Sequence, residues 1–400
     1  MDLILFHDNN ILIGAIVLQF KHYYVKQMAL FSKETIKINN YPSIDYLDTG
    51  SITEGIIQSI EHYLDLSELP SRAKKIVKEG DIIYSTVRPN NRHYGIIQGN
   101  CDNLVVSTGF SVIRADTEKV LPKYLYYLLS MDTTIELLQT IAEQSVSTYP
   151  SINDSDIGEL EYDIPSVEDQ AIIVSIIDSI DCKIRLNSLV NDNLLAILNT
   201  EYNKIKSEYP ADSELSDICT LNNQRRLASE LTPSNYYSTE NMLPNKGGVV
   251  PASSMPSDNK AIICEVGDVL ISNIRPYFKK IHYCFESSGC SADVLDFRAK
   301  NVQHASYLYG ILYSDDFFDY VVAGSKGTKM PRGDKDQIMQ YSIPLPPEVV
   351  LDAYCELGQL ILSQVTSNNQ ESAKLVALRD FILPKLMSGE IDVSTLEIPN

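Results

Sequence analysis

One plan occurs twice in this 400-residue chain. The run Glu79-Gly-Asp-Ile-Ile-Tyr-Ser-Thr-Val-Arg-Pro89 returns as Val266-Gly-Asp-Val-Leu-Ile-Ser-Asn-Ile-Arg-Pro276. Gly80, Asp81, Ser85, Arg88 and Pro89 thereby match Gly267, Asp268, Ser272, Arg275 and Pro276 at a constant offset of 187 residues. Around this block the order of landmarks is kept while the offset drifts. Tyr46-Leu-Asp-Thr49 matches Tyr236-Tyr-Ser-Thr239 at 190, and Tyr124-Leu-Tyr126 matches Tyr307-Leu-Tyr309 at 183. Ser147-Thr-Tyr-Pro150 matches Thr328-Lys-Met-Pro331 at 181, and Ile164-Pro165 matches Ile343-Pro344 at 179. Small loop deletions give such a drift. The period is far longer than a solenoid repeat, so the pattern predicts a duplicated domain.

Each copy has one internal order. Ile82–Val87 and Val269–Ile274 are β-rich runs after a Gly-Asp turn, and the following Arg-Pro ends the strand and opens a loop. Residues 122–138 and 306–322 read as helices with an apolar, Tyr-rich face; at helical spacing those tyrosines are core residues rather than stacking platforms. A polar loop follows, and each copy closes on a long helical stretch. In the first, Ile173, Ile177, Ile180, Ile184, Asn191, Leu194, Leu198 and Ile205 recur at helical spacing; in the second, Tyr354, Leu357, Ile361, Val365, Leu375, Leu378 and Ile382 do so. A helix of about 40 residues is roughly 60 Å long, more than one small domain needs. Two readings suit the pair: core helices of one globule, or an antiparallel coiled coil between two copied domains.

The apolar run Ile11–Leu18 is too short for a membrane helix and follows no Lys or Arg, so it is read as a buried strand of a cytoplasmic protein. Seven scattered cysteines without a Cys-x-x-Cys predict reduced, mostly buried thiols. The net charge of −20 taken alone argues against a nucleic-acid binder. The charge is uneven, however. Residues 151–217 and 348–400 carry −11 and −5, whereas 218–347 is neutral with 13 charges of each sign.

At this point the residues resemble a family. Tyr46-Leu-Asp-Thr-Gly-Ser-Ile-Thr53, the two Gly-Asp…Arg-Pro strands, the helix entry Ile164-Pro-Ser-Val-Glu-Asp-Gln170 and the C-terminal run Leu378-Arg-Asp-Phe-Ile-Leu-Pro-Lys-Leu-Met-Ser-Gly-Glu390 are similar to motifs of the specificity subunits of type I restriction–modification systems. The likeness covers residues 40 to 393, and the C-terminal run is its most specific part. The second entry, Leu345-Pro-Pro-Glu-Val-Val350, lacks the Glu-Gln of the first, and the first 40 residues match the family's opening poorly.

The resemblance implies an α+β fold with two duplicated target-recognition domains, residues 1–163 and 210–345, separated by two long helices in 164–209 and 346–400. It implies a non-catalytic reader of bipartite double-stranded DNA. The helix pair would space the half-sites and dock methyltransferase subunits, two of them, with motor–nuclease subunits joining; no membrane is involved. It implies no cofactor in this chain, with S-adenosylmethionine, ATP and Mg on the partner subunits. A scaffold of the same fold that binds protein instead of DNA is the alternative, favoured by the acidic balance.

No P-loop, Gly-x-Gly-x-x-Gly, Asn/Asp-Pro-Pro-aromatic or His-Glu-x-x-His motif occurs, and six isolated histidines have no metal spacing. Asp181-Cys-Lys183 and Asp258-Asn-Lys260 match only a short Asp-x-Lys fragment that is common by chance. The candidate contacts are therefore DNA-binding. Arg88, Asn90, Asn91, Arg92 and His93 form one loop with bidentate amides and guanidiniums suited to adenine and guanine. Arg275, Lys279 and Lys280 sit at the matching place. Lys326, Thr328, Lys329 and Arg332 lie in a Gly-rich basic loop suited to phosphate, with Ser147 in its polar counterpart. Arg225 and Arg226 form a further basic spot, as does Arg72-Ala-Lys-Lys75; both read equally as solvated faces. Arg88 and Arg275 read either as phosphate contacts or as ion pairs to a neighbouring domain.

Overall fold

A computed structural model describes residues 20–37, 41–145, 149–257 and 260–393. The strand expected at 11–18 and the candidate Ser147 lie outside them. The chain divides into two compact units, residues 1–182 with 375–400 and residues 183–374. Two helices, Val167–Glu208 and Glu348–Met387, contribute to both. Among the described residues no helix is long and apolar enough to cross a membrane.

The first unit holds two four-stranded sheets. One is antiparallel, in the order Ala29–Phe31, Phe110–Ala115, Ile82–Ser85 and Tyr94–Ile96. The other runs Glu61–Tyr63, Ile44–Leu47, Leu104–Ser107 and Ala73–Ile76, with its two middle strands parallel. The alternation of strand Ile82–Ser85 decides what each residue packs against. Ile83 joins Leu47, Ile52, Val77, Ile97, Val106, Phe110 and Val112 in a purely aliphatic and aromatic cluster. Ile82 and Tyr84 join a second cluster with Tyr124, Leu125, Leu128, Ile173 and Ile177.

The second unit repeats the design. Cys219–Asn222, Val294–Ala299, Val269–Ser272 and Ile281–Tyr283 form the antiparallel sheet. Its other sheet keeps three equivalent strands, Tyr236–Tyr237, Ser288–Cys290 and Lys260–Cys264, and changes the edge, adding Arg225–Leu227 beside Lys260–Cys264. The expected twofold plan is thus present in strand order and register.

The Gly-Asp landmark is a structural brace. Gly80 and Gly267 take φ of +84° and +94°, where a Cβ is strained. Fully buried Asp81 accepts the Lys78 N–H at 2.8 Å and receives the Arg114 guanidinium on both oxygens at 2.8 Å. Asp268 accepts the Glu265 N–H at 2.7 Å and receives Arg298 at 2.9 and 2.7 Å. Each pair ties the turn to the neighbouring strand with a bidentate charge-assisted geometry.

The long helices pair antiparallel within each unit. In the second, Tyr354 Oη donates to the Leu198 carbonyl at 3.3 Å. Farther along, Asn368 Nδ2 donates to Asn191 Oδ1 at 2.7 Å and Asn187 Nδ2 donates to Glu371 at 2.9 Å. In the first, Arg379 meets Asp181 at 3.0 Å. Buried Gln170 explains the glutamine of the first helix entry: Oε1 accepts the Leu121 N–H at 2.9 Å while Nε2 donates to the Pro165 and Lys119 carbonyls at 3.0 Å.

Candidate nucleic-acid interface

Both Arg-Pro sequences build one rare backbone shape. Arg88 and Arg275 take φ of 50° and 52°, and the residues four further on, Arg92 and Lys279, take φ of 55° and 50°. Between them lie single 3₁₀ turns, Pro89–Asn91 and Pro276–Phe278. Left-handed non-glycine residues cost energy, so the surroundings must hold them. The holding contacts are duplicated. The Glu54 N–H donates to the Arg92 carbonyl at 2.8 Å and the Lys246 N–H to the Lys279 carbonyl at 2.9 Å. Arg92 pairs with Asp132 at 2.6 Å, and Lys279 with Asp315 at 2.8 Å; each carboxylate is the first residue of a helix.

The two candidate loops of each unit meet. The Arg88 N–H donates to the Pro150 carbonyl at 2.9 Å and the Arg275 N–H to the Pro331 carbonyl at 2.8 Å. In the second unit the partner loop is a tight hairpin. Lys326 and Arg332 exchange main-chain hydrogen bonds of 2.8 and 2.9 Å, Gly327 turns at φ +102°, and Thr328, Lys329 and Met330 stand exposed at the tip.

The candidate residues separate by what already holds them. Arg92 pairs also with Glu54 at 3.2 Å, so it braces the turn. His93 Nδ1 lies 2.6 Å from the Ile52 carbonyl and is held inward. Asp315 holds the Lys279 ammonium above the usual lysine range, while burial pushes half-buried Lys280 down, its Nζ donating to the Thr239 carbonyl at 2.6 Å. Lys326 pairs with Asp334 and Arg332 with Asp293 at 3.1 Å. Lys75, in the Arg72–Lys75 spot, donates to the Phe110 carbonyl at 2.5 Å.

A smaller set makes no ion pair among the described residues. Arg88 lies 5.1 Å from the Tyr149 ring centroid. Arg275 is half-buried with Nε unpartnered. Lys329, Asn90, Asn91, Arg225 and Arg226 are exposed, the last two on an edge strand. The ion pairing of Arg88 and Arg275 weighed from sequence is not seen among the described residues. Tyr149, Tyr277 and Phe278 are exposed aromatics beside these cations that the charge-based reading passed over.

A family model described as "Type I restriction modification DNA specificity domain" matches residues 22–196. That span, under half of the chain, is what resembles a type I restriction specificity domain. The HindI specificity subunit of Haemophilus influenzae is 35% identical over 175 residues, 44% of this chain. That match spans only 38% of the relative's own length. The MjaIX specificity subunit of Methanocaldococcus jannaschii is 24% identical over 80% of both chains. A solved type I S subunit from M. genitalium covers 96% of this chain and 98% of its own chain with a TM-score of 0.55 at 14% identity, a likeness of fold.

Proposed function

We propose that this chain is the DNA-reading subunit of a type I restriction–modification complex, each recognition domain contacting one half of a bipartite duplex target. The observation that carries the reading is the duplicated Arg-Pro turn, in which a left-handed arginine is fixed beside a second loop and makes no ion pair among the described residues. Such cations supply phosphate contact, and the exposed amides and loop tips beside them reach base edges. Residues 164–209 and 346–400 are the segments on which methyltransferase subunits dock, with motor–nuclease subunits joining that core. In this reading the chain performs no chemistry; S-adenosylmethionine, ATP and Mg belong to the partners.

The acidic balance is compatible with DNA binding because screening confines repulsion to about 8–10 Å, and −16 of the −20 lies in residues 151–217 and 348–400, outside the loops. Among the loop residues proposed as contacts, Arg88, Arg275 and Lys329 act on phosphates; Asn90 and Asn91 read bases; Arg92, His93, Lys279 and Lys280 shape the turns. Co-expression with a type I methyltransferase and genome-wide mapping of methylated adenine tests the reading. A split motif that appears only when this chain is present is expected; a pattern independent of the chain contradicts it.

A further inference from the structure

The two units carry the same turn with opposite chemistry at its tip. Arg88-Pro-Asn-Asn-Arg92 and Arg275-Pro-Tyr-Phe-Lys279 match in the left-handed φ of their first and last residues, in the 3₁₀ turn between them and in the bracing ion pair. Only the middle dipeptide changes class. Asn90 and Asn91 are exposed amides, whereas Tyr277 and Phe278 are aromatic rings left 48% and 36% exposed. The rings hold each other, with centroids 4.7 Å apart and planes 55° apart. Lys280 Nζ lies 5.8 Å from the Phe278 ring, and the hairpin tip carrying exposed Met330 and Lys329 is tied to the same turn through the Arg275–Pro331 hydrogen bond. An apolar tip flanked by cations and held on a rigid strained frame is unusual on a chain of net charge −20.

We propose that the dipeptide after each Arg-Pro is a specificity-determining element of its domain, and that Tyr277–Phe278 reads its half-site by apolar contact with thymine C5-methyl groups in the major groove. This rests on the DNA-reading role proposed above. Amides at the first tip suit adenine N6 and N7, whereas rings have no such donor–acceptor pair; the base feature they can distinguish by contact is the thymine methyl. The frame supplies position and the dipeptide supplies sequence. The occupant is duplex DNA because the tip is continuous with Arg275 and Lys329.

The test uses the full chain assembled with its methyltransferase and duplexes carrying the mapped motif. Each thymine of the half-site assigned to residues 210–345 is replaced in turn by deoxyuridine, which lacks only the methyl. Losing a contacted methyl should weaken wild-type binding about three- to five-fold. The double variant Y277N/F278N should bind the thymine duplex more weakly, lose the deoxyuridine penalty and keep the wild-type salt slope, since no phosphate contact is removed. Y277L/F278L, which stays apolar, should retain part of the penalty. The proposal is overturned if that half-site holds no thymine, if the penalty survives in Y277N/F278N, or if this variant fails to co-purify with the methyltransferase. Absence of binding by wild type and every variant alike would instead remove the DNA-reading role itself, and this proposal with it.

Discussion

The cores between the sheets of the two units occupy equivalent positions and differ sharply in chemistry. In the first unit Val77, Ile97, Val106 and Val112 complete an aliphatic cluster. In the second, Cys264, Cys284 and Cys290 take the first three places and Asp296 the fourth, opposite Leu270 as Val112 is opposite Ile83. The braces outside that core, Asp81–Arg114 and Asp268–Arg298, are the same. Shape and turn geometry are therefore held by a few directional polar contacts, while a core position accepts any side chain of suitable volume. The carboxyl of Asp296 is the exception that costs energy. It is 1% exposed, one oxygen has no partner among the described residues, and burial together with the nearby Asp268 carboxylate pushes it up to about 7.

The largest effect should come from the shared braces. Arg114→Ala strands the buried Asp81 carboxylate, and Arg298→Ala strands Asp268; each should destabilise its own unit by about 3–5 kcal/mol. Hydrogen exchange resolved by residue checks this, and protection lost equally from both units would refute the independence of the two.

Asp296→Val should act on the second unit alone and in a pH-dependent way. The folded carboxyl titrates near 7 and the unfolded one in the ordinary range, so the folded unit holds the extra proton between these values. The penalty is absent at low pH, grows as pH rises toward 7 and is complete above it. The variant should gain on the order of a few kcal/mol at pH 8 and nothing of this kind at pH 3. A gain that does not vary with pH would show that packing, not ionisation, distinguishes the cores. Val112→Asp in the first unit should install the same slope.

A smaller contrast lies at the helix entries. In the first unit Gln170 satisfies the Pro165 carbonyl, and the hydroxyl of buried Tyr124 has no partner among the described residues. In the second, which lacks the glutamine, the equivalent Tyr307 hydroxyl donates to the Pro344 carbonyl at 2.6 Å. Tyr307→Phe should cost about 1–2 kcal/mol, whereas Tyr124→Phe should cost nothing or stabilise slightly. Equal losses in thermal melts would contradict the exchange of tethers.

The smallest effects concern the single phosphate contacts proposed above. Arg88→Ala and Arg275→Ala should each weaken DNA binding of the assembled complex across all sequences and lower the salt slope by about 1. Arg92→Ala, which breaks a brace, should leave that slope unchanged. Equal slopes for Arg88→Ala and Arg92→Ala would erase the distinction between contact and brace.

The duplication, the strands after Gly-Asp and the two long helices were legible because each is local or periodic in sequence. The roles of the charged loop residues were not. Arg92 and Lys279 look like free cations until the fold brings Asp132 and Asp315, 40 and 36 residues away, within hydrogen-bonding reach. His93 looks like a base reader until its ring meets the Ile52 carbonyl. The exposed rings of Tyr277 and Phe278 carry no charge signal, and only the shared left-handed turn places them opposite Asn90 and Asn91. The second helix entry lacks the glutamine of the first, and the Tyr307 hydroxyl takes over its contact with the proline carbonyl.

The central claim is that the two units read separate halves of one target. Replacing residues 210–345 with the equivalent segment of a relative that has a different split motif, then mapping adenine methylation across a genome, tests it most directly. One half of the motif should change to the donor's while the other half is retained. A motif that stays whole, or that changes in both halves together, would contradict the account.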